Sequence, residues 1–251
     1  MTNILLSGCG GRMGEAVRKL IAERDDATVI AGIDVNPASV SGFPVYQSIT
    51  EFSGKADVIV DFSHHTALPS LLDYAVKTGT PLVVCTTGHT DGELDAMRAA
   101  ADKVAVFFSG NMSIGINLLM ELCRRASAAL GTSFDVEIVE KHHNKKLDAP
   151  SGTALMLADA IKDTRESTEY VYDRHSVRRQ RSSDEIGIHS VRGGTIVGEH
   201  DVLFAGKDEQ ITLAHSATSR EVFATGALKA AEFMVGKASG LYDMNALLSD
   251  L

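Results

Sequence analysis

Residues 3–7 form a short apolar run that breaks at once into Gly8-Cys9-Gly10-Gly11-Arg12-Met13-Gly14. Ala16, Val17, Leu20 and Ile21 follow at helical spacing, and residues 27–33 form a second apolar run ending in Asp34. Strand, glycine turn, helix and strand in that order predict a β-α-β unit of the length a dinucleotide fold needs. The glycines fall at every third position, Gly8, Gly11 and Gly14, and Met13 stands where the strict Gly-x-Gly-x-x-Gly would place its third. The physical demands are the same. The turn must be tight, backbone N–H groups must come close to a pyrophosphate, and the helix must lie close on its sheet. Gly8, Cys9, Gly10, Gly11, Arg12 and Met13 are therefore candidate cofactor contacts, Arg12 through a charge-assisted bond to phosphate.

A glycine cluster by itself is often only a turn. Here Asp34 lies twenty residues after Gly14, where an acidic side chain accepts from the adenosine ribose hydroxyls. Val35 follows it, and no basic residue lies between Gly32 and Ser48. An acidic Asp34 repels a 2′-phosphate, so NADH is expected over NADPH, with Arg12 as the residue that would weaken that preference.

The alternation continues. Residues 57–62 read as a third strand, with Ser63-His64-His65-Thr66 after it and a helix through Leu68, Leu71, Leu72 and Val76. Residues 81–85 and 104–108 read as further strands around a helix at 93–103. The expected fold class is α/β, with an N-terminal Rossmann-like, doubly wound parallel sheet. Thr86 and Thr87, small hydroxyl residues at a strand's carboxyl end, are placed to lie along the nicotinamide ribose. The adjacent His64 and His65 point in different directions and have no third ligand nearby in sequence, so no metal site is expected.

A formal charge of −9 argues against a general nucleic-acid or membrane-surface binder. Cys9, Cys85 and Cys123 are widely spaced, with no Cys-x-x-Cys, so a reducing cytoplasm is expected. Ile4-Leu5-Leu6 is too short for a signal-peptide core, and no apolar run approaches the ~18 residues of a membrane span.

The other informative stretch is residues 140–154, Glu-Lys-His-His-Asn-Lys-Lys-Leu-Asp-Ala-Pro-Ser-Gly-Thr-Ala. Phe134, Val136 and Ile138 alternate with Asp135 and Glu137 before it, and Leu155, Leu157, Ala158 and Ile161 run at helical spacing after it. It reads as a loop between a strand and a helix. Ser151 or Thr153 can cap that helix, and Gly152 leaves its first N–H groups open to a carboxylate or phosphate. His142, His143, Lys145 and Lys146 around such a terminus make a cationic cradle with proton donors at hand. Two histidines or two lysines on a loop are usually solvated surface. The pair, the helix start and Asp148 in one loop favour acid–base chemistry on a small anionic substrate.

Glu-x-His-His-x-x-Lys-x-Asp-x-Pro-Ser-Gly-Thr-Ala also resembles the signature of the dihydrodipicolinate reductases, which reduce 4-hydroxy-tetrahydrodipicolinate to tetrahydrodipicolinate with loss of water in the diaminopimelate route to lysine. The resemblance implies His142 and Lys146 as the proton-handling residues, with His143, Gly152 and Thr153 gripping a substrate carboxylate. Cys85-Thr86-Thr87-Gly88 resembles the family's Gly-Thr-Thr-Gly, with Cys85 in place of the first glycine. Ser109-Gly110-Asn111-Met112, leading to Asn117, resembles the segment that meets the nicotinamide end. Asn111 is a candidate to hold its carboxamide, although a polar turn before a helix explains the segment nearly as well. The segment 192–200 and Ser219-Arg220 match as well, so the resemblance runs from Gly8 to Met244. It implies a dinucleotide domain of residues 1–113 and 220–251, and a mixed α+β substrate and oligomerisation domain of residues 114–219. Hinges are expected near Ser113 and Ser219, and a homotetramer through the middle domain's sheet.

Residues 186–191, 194–197, 200–204 and 210–215 read as antiparallel strands, and the arginine-bearing stretch 163–184 as a loop with some strand, a lid, an oligomer contact or plain solvated surface. Two other functions are compatible with the fold. A different amino-acid or hydroxy-acid dehydrogenase would have no need of this anion cradle. A nucleotide-binding sensor without turnover would be expected to have lost His142 or Lys146.

Overall fold

The computed structural model describes residues 1–37 and 40–250. The chain divides into two compact units, Met1–Ile114 with Arg220–Leu251, and Gly115–Ser219. The first begins with β1 (Thr2–Ser7), α1 (Arg12–Ala22), β2 (Ala27–Ile33) and a short β3 (Val45–Tyr46). It continues through β4 (Val58–Asp61), α2 (Leu68–Thr78), β5 (Leu82–Val84), α3 (Asp91–Ala101) and β6 (Ala105–Phe108). The strands are short and apolar throughout because both faces are covered. Val58, Ile59, Val60, Leu82, Val83 and Val84 are all fully buried. Thr90 and Glu93 form a reciprocal cap at the start of α3.

The second unit opens with α4 (Ile114–Leu130) and continues with β7 (Asp135–His142), α5 (Gly152–Lys162), β8 (Glu169–Val171), β9 (Glu185–Arg192), β10 (Gly198–Ala205) and β11 (Gln210–Ala217). Its five-stranded sheet has the order β11-β10-β7-β9-β8. Three expectations need correction. First, β7 runs on through Glu140, Lys141 and His142, which were expected in the loop. Its inward face is Val136, Ile138, Glu140 and His142, so the period of two survives while the residues turn polar. Second, β9 is parallel to β7, not antiparallel. The connection between them carries α5 and is long enough for a crossover. Third, residues 194–197 make the turn into β10 rather than a strand. One face of the sheet packs Val136, Ile138, Val202 and Phe204 against Leu119, Cys123, Leu157 and Ile161.

The arginine-bearing stretch is stitched to its own unit. Arg174 donates to Glu185 and Glu137 (2.6 and 2.7 Å), and Arg181 to Glu137 and Asp135 (3.0 and 2.7 Å). Glu185 is nearly fully buried under these guanidinium groups.

The chain then supplies α6 (Glu221–Met234), β12 (Gly240–Tyr242) and α7 (Met244–Asp250) to the first unit. β12 lies parallel to β6 and completes a seven-stranded sheet of order β12-β6-β5-β4-β1-β2-β3. The strand order reverses at β1, and the carboxyl ends of β1, β2 and β4 frame a cleft. α1 and α6 cover one face of the sheet, α2 and α3 the other.

Gly226 shows how close α6 lies. A Cβ there would stand 1.7 Å from the Met112 carbonyl oxygen. Glycine inside a helix costs about 1 kcal/mol against alanine, so intrinsic propensity favours Gly226→Ala. The backbone clash should dominate, and the variant is expected to lose about 1–3 kcal/mol in urea unfolding. An unchanged midpoint would mean that α6 can slide away at no cost.

Candidate active site

Gly8, Gly11 and Asp34 line a cleft of about 450 Å³ at the ends of β1, β2 and β4. Gly8 has φ of +74°, and a Cβ on it would meet the Phe62 carbonyl at 2.5 Å. Gly14 lies so close to the Gly8 carbonyl that a Cβ would fall 2.3 Å from it. The two glycines thus supply the tight turn and the close helix that a pyrophosphate cradle needs. Gly11 precedes α1 without any side-chain cap, which leaves first-turn N–H groups for an anion. These features fit a dinucleotide.

Asp34 reaches back to the turn. Its carboxylate accepts from the Gly10 and Asn36 N–H groups at 2.8 and 2.9 Å, which fixes a negative charge at the cleft rim. Cys9 is buried, its thiol pushed up to about 11 by burial and by Asp34, so it presents only backbone. Arg12 is exposed at the first position of α1, and Met13 packs on the core. Ser63, His64 and Thr66 also line the cleft. His65 turns instead to Glu93, 2.9 Å away.

Cys85 is buried, with its thiol well above the usual range because of that burial and Asp61. Thr86 is buried and Thr87 exposed. Sequence reasoning missed Asp61. It is fully buried and accepts from Ser63 Oγ at 2.5 Å and Thr86 Oγ1 at 2.7 Å, tying the loops after β4 and β5 together. A carboxylate ending a fully apolar strand was the available signal. Ser109 Oγ donates to the Asn111 carbonyl at 2.8 Å, and Asn111 Oδ1 accepts from the Ser113 N–H at 2.9 Å. Asn111 therefore shapes the entry into α4. Gly110 is exposed and Met112 buried against α6.

The second cluster lies in the other unit, where β7 meets α5. His142 sits at the end of β7 and donates from Nδ1 to Glu140 Oε2 at 2.6 Å. Burial alone would raise the Glu140 carboxyl. Arg192, Ser190 and His142 outweigh it and hold the group down at about 2. Arg192 binds both carboxylate oxygens, at 2.7 and 2.6 Å. His200 packs edge-on to His142, and burial followed by the neighbouring His142 lowers it to about 4, so it is neutral. A Cβ on Gly198 would come within 3.1 Å of His142 Nε2, so glycine keeps that side of the ring open.

The Gly193 N–H donates to the His142 carbonyl (2.9 Å) and the Asn144 N–H to the Gly194 carbonyl (3.3 Å), so the β9–β10 turn braces this loop. Lys146 follows in a turn closed on the His143 carbonyl, its Nζ 2.9 Å from Asp148 Oδ2. That bond to Lys146 lowers the Asp148 carboxyl. His143 is half-buried. After the cis Ala149–Pro150 bond, Ser151 caps α5 by accepting from the Ala154 N–H at 3.1 Å. Gly152 and Thr153 open the helix, and the space beside Gly152 is clear. The sequence did not mark Glu140, Arg192 or His200 as site residues.

A Rossmann cradle in one unit and a cationic, histidine-bearing helix start in the other define a nicotinamide-dependent oxidoreductase acting on a small anion. Residues 2–112 match the N-terminal model of the dihydrodipicolinate reductases, and residues 115–248 the C-terminal one. The chain is 51% identical over 249 residues to the 4-hydroxy-tetrahydrodipicolinate reductase of Caldanaerobacter subterraneus subsp. tengcongensis, covering 99% of this chain and 98% of that protein. It is 48% identical over 250 residues to the same enzyme of Clostridium tetani, with the same coverage of 99% and 98%. The dipicolinate-bound dihydrodipicolinate reductase of Paenisporosarcina sp. TG-14 superposes with a TM-score of 0.83 at 26% identity, over 98% of this chain and 99% of that one. The chain belongs to the dihydrodipicolinate reductase family. It is an oxidoreductase that uses a nicotinamide dinucleotide to reduce 4-hydroxy-tetrahydrodipicolinate to tetrahydrodipicolinate with loss of water, in lysine biosynthesis through diaminopimelate.

Proposed function

We propose that His142 and Lys146 handle the protons of this reduction, while His143 and the Gly152–Thr153 start of α5 hold a substrate carboxylate. The observation that carries the reading is the loop between β7 and α5. It joins a carboxylate-backed imidazole, an ammonium on Asp148 and a helix N-terminus within residues 142–153. The helix terminus contributes ~0.3–1 kcal/mol to anion binding, and each charge-assisted hydrogen bond ~1.5–3 kcal/mol. The dipicolinate in the Paenisporosarcina structure is a dicarboxylate of the kind this cradle suits. When bound, the dinucleotide supplies hydride to the unsaturated ring. Charge then grows on the ring, and Lys146 delivers the proton with His142 beside it as donor or acceptor.

Gly8, Cys9, Gly10, Gly11, Arg12 and Met13 are assigned to the pyrophosphate, Asp34 to the adenosine ribose. Cys85, Thr86, Thr87 and Ser109, Gly110, Asn111, Met112 are assigned to the nicotinamide half. NADH is the preferred cofactor, because the Asp34 carboxylate is held at the cleft rim and Val35 beside it carries no charge. The outer face of the second sheet exposes Val191, and a homotetramer through that sheet would cover it. The three buried free cysteines support a cytoplasmic setting. Among the described residues, no helix is long and apolar enough to cross a membrane.

The test is oxidation of NADH and NADPH by the wild-type protein with freshly generated 4-hydroxy-tetrahydrodipicolinate, beside Asp34→Ser. Wild type should favour NADH in kcat/KM, and the variant should lose that preference by about tenfold or more, the loss of one unfavourable charge contact of about 1.4 kcal/mol. Tight dinucleotide binding with no turnover would sink the proton roles and favour the sensor reading. Sedimentation equilibrium at four times the monomer mass would support the tetramer, and a monomer mass would reject it.

A further inference from the structure

We propose that Glu140 is a positioning residue of this active site, one buried carboxylate that orients the His142 imidazole and the substrate-binding start of α5 together. The proposal rests on the proton role assigned to His142. Its basis is the saturation of both oxygens. Oε2 accepts from His142 Nδ1 at 2.6 Å and from Arg192 at 2.7 Å. Oε1 accepts from the Ser151 N–H at 3.1 Å and from Arg192 at 2.6 Å. A carboxylate has about four lone-pair positions, and each has a donor here. The group is fully buried, so no water competes for them.

The first consequence concerns the imidazole. An ionised acceptor at Nδ1 keeps the proton on that nitrogen and leaves Nε2 as the reactive one. Nε2 faces Gly198, where there is no side chain. The second concerns α5. Holding the Ser151 N–H to Glu140 fixes the residue whose hydroxyl caps Ala154, and with it the direction in which Gly152 opens the helix. Arg192 also donates to the Asp148 carbonyl at 2.7 Å, so the same ion pair steadies the residue that carries the Lys146 ammonium. A purely structural role is a weak alternative. Buried ion pairs are commonly replaceable by apolar groups without loss of stability, and Arg192 alone would not require His142 and Ser151 as further partners.

The experiment is a cycle of wild type, Glu140→Gln, His142→Gln and the double variant, read by kcat, KM and NADH affinity, with ¹⁵N NMR of the His142 ring. Glutamine keeps the shape but can present an NH2 to Nδ1, which forces the proton to Nε2. Glu140→Gln should move the tautomer signal and lower kcat by about 10²-fold, with NADH affinity unchanged. In the His142→Gln background the same change should lower kcat less than about threefold, because residues acting as one unit are not additive, while its effect on KM through the Ser151 N–H should persist. If Glu140→Gln fails to fold, Glu140→Gln with Arg192→Met removes both buried charges, and it is read against Arg192→Met alone, which also frees the Asp148 carbonyl.

Full multiplication of the two single effects, or an unmoved tautomer with wild-type kcat, would overturn the proposal and leave the role of His142 standing. Wild-type kcat in His142→Gln would overturn that role first, and the proposal with it.

Discussion

Lys146→Ala is expected to lower kcat by about 10²–10⁴-fold, the range for loss of a positioned proton donor, with dinucleotide affinity unchanged. The side chain belongs to a unit that contains none of the Rossmann cradle. Its Nζ makes an ion pair with Asp148, whose side chain is 59% exposed. A pair of that kind contributes ~0–1 kcal/mol to stability, so the fold should barely respond. Lys146→Arg separates charge from proton transfer. Arginine keeps the cation but does not release a proton near neutral pH. If Lys146 only attracts the substrate carboxylates, arginine should restore kcat; if it delivers the proton, arginine should leave kcat low and repair KM alone. Steady-state kinetics with NADH titration and a urea midpoint for each variant separate these cases. A kcat within about threefold of wild type in Lys146→Ala would remove the residue from the reaction.

Much of the first unit could be read from the chain because its signals are local. The break from apolar residues 3–7 into glycine, and Asp34 after β2, are short-range consequences of a tight turn and a buried parallel strand. The short β3 escaped because only two residues pair, too few for any periodicity. In the second unit the motif 140–154 was legible, but not what holds it. Arg192 reaches Glu140 because β9 runs parallel to β7 with Arg192 opposite His142 in register. A crossover of that length leaves no local trace, and strands separated by glycine turns suggest hairpins instead. Glu140 itself was within reach. It continues the inward face of Val136 and Ile138, and a carboxylate on a core-facing position demands partners. Ending the strand at Ile138 hid that face and put His142 on a loop.

Removing Arg192 exposes what that carboxylate demands. Arg192→Met keeps much of the side chain's volume but leaves Glu140 buried with the bidentate partner gone. Breaking one side of a buried pair costs about 3–5 kcal/mol, more than the loss of a surface bridge and more than the Gly226→Ala clash. The effect must also depend on pH. In the wild type Glu140 is held at about 2, below its ordinary 4.5. A group depressed on folding stabilises the native state above its unfolded value, and that stabilisation drains away as pH falls through the folded one. The wild type should therefore lose this contribution between about pH 4.5 and 2. In Arg192→Met the largest of the groups opposing burial is gone, the carboxyl rises, and it protonates in the folded state at higher pH. The stability gap between the two proteins should be widest at pH 7 and should narrow as the solution is acidified. Urea unfolding at pH 7, 5 and 3, followed by a probe in the second unit, measures it. A gap that is small at pH 7, or that does not change with pH, would mean that solvent reaches Glu140 and that Arg192 is not what keeps it ionised.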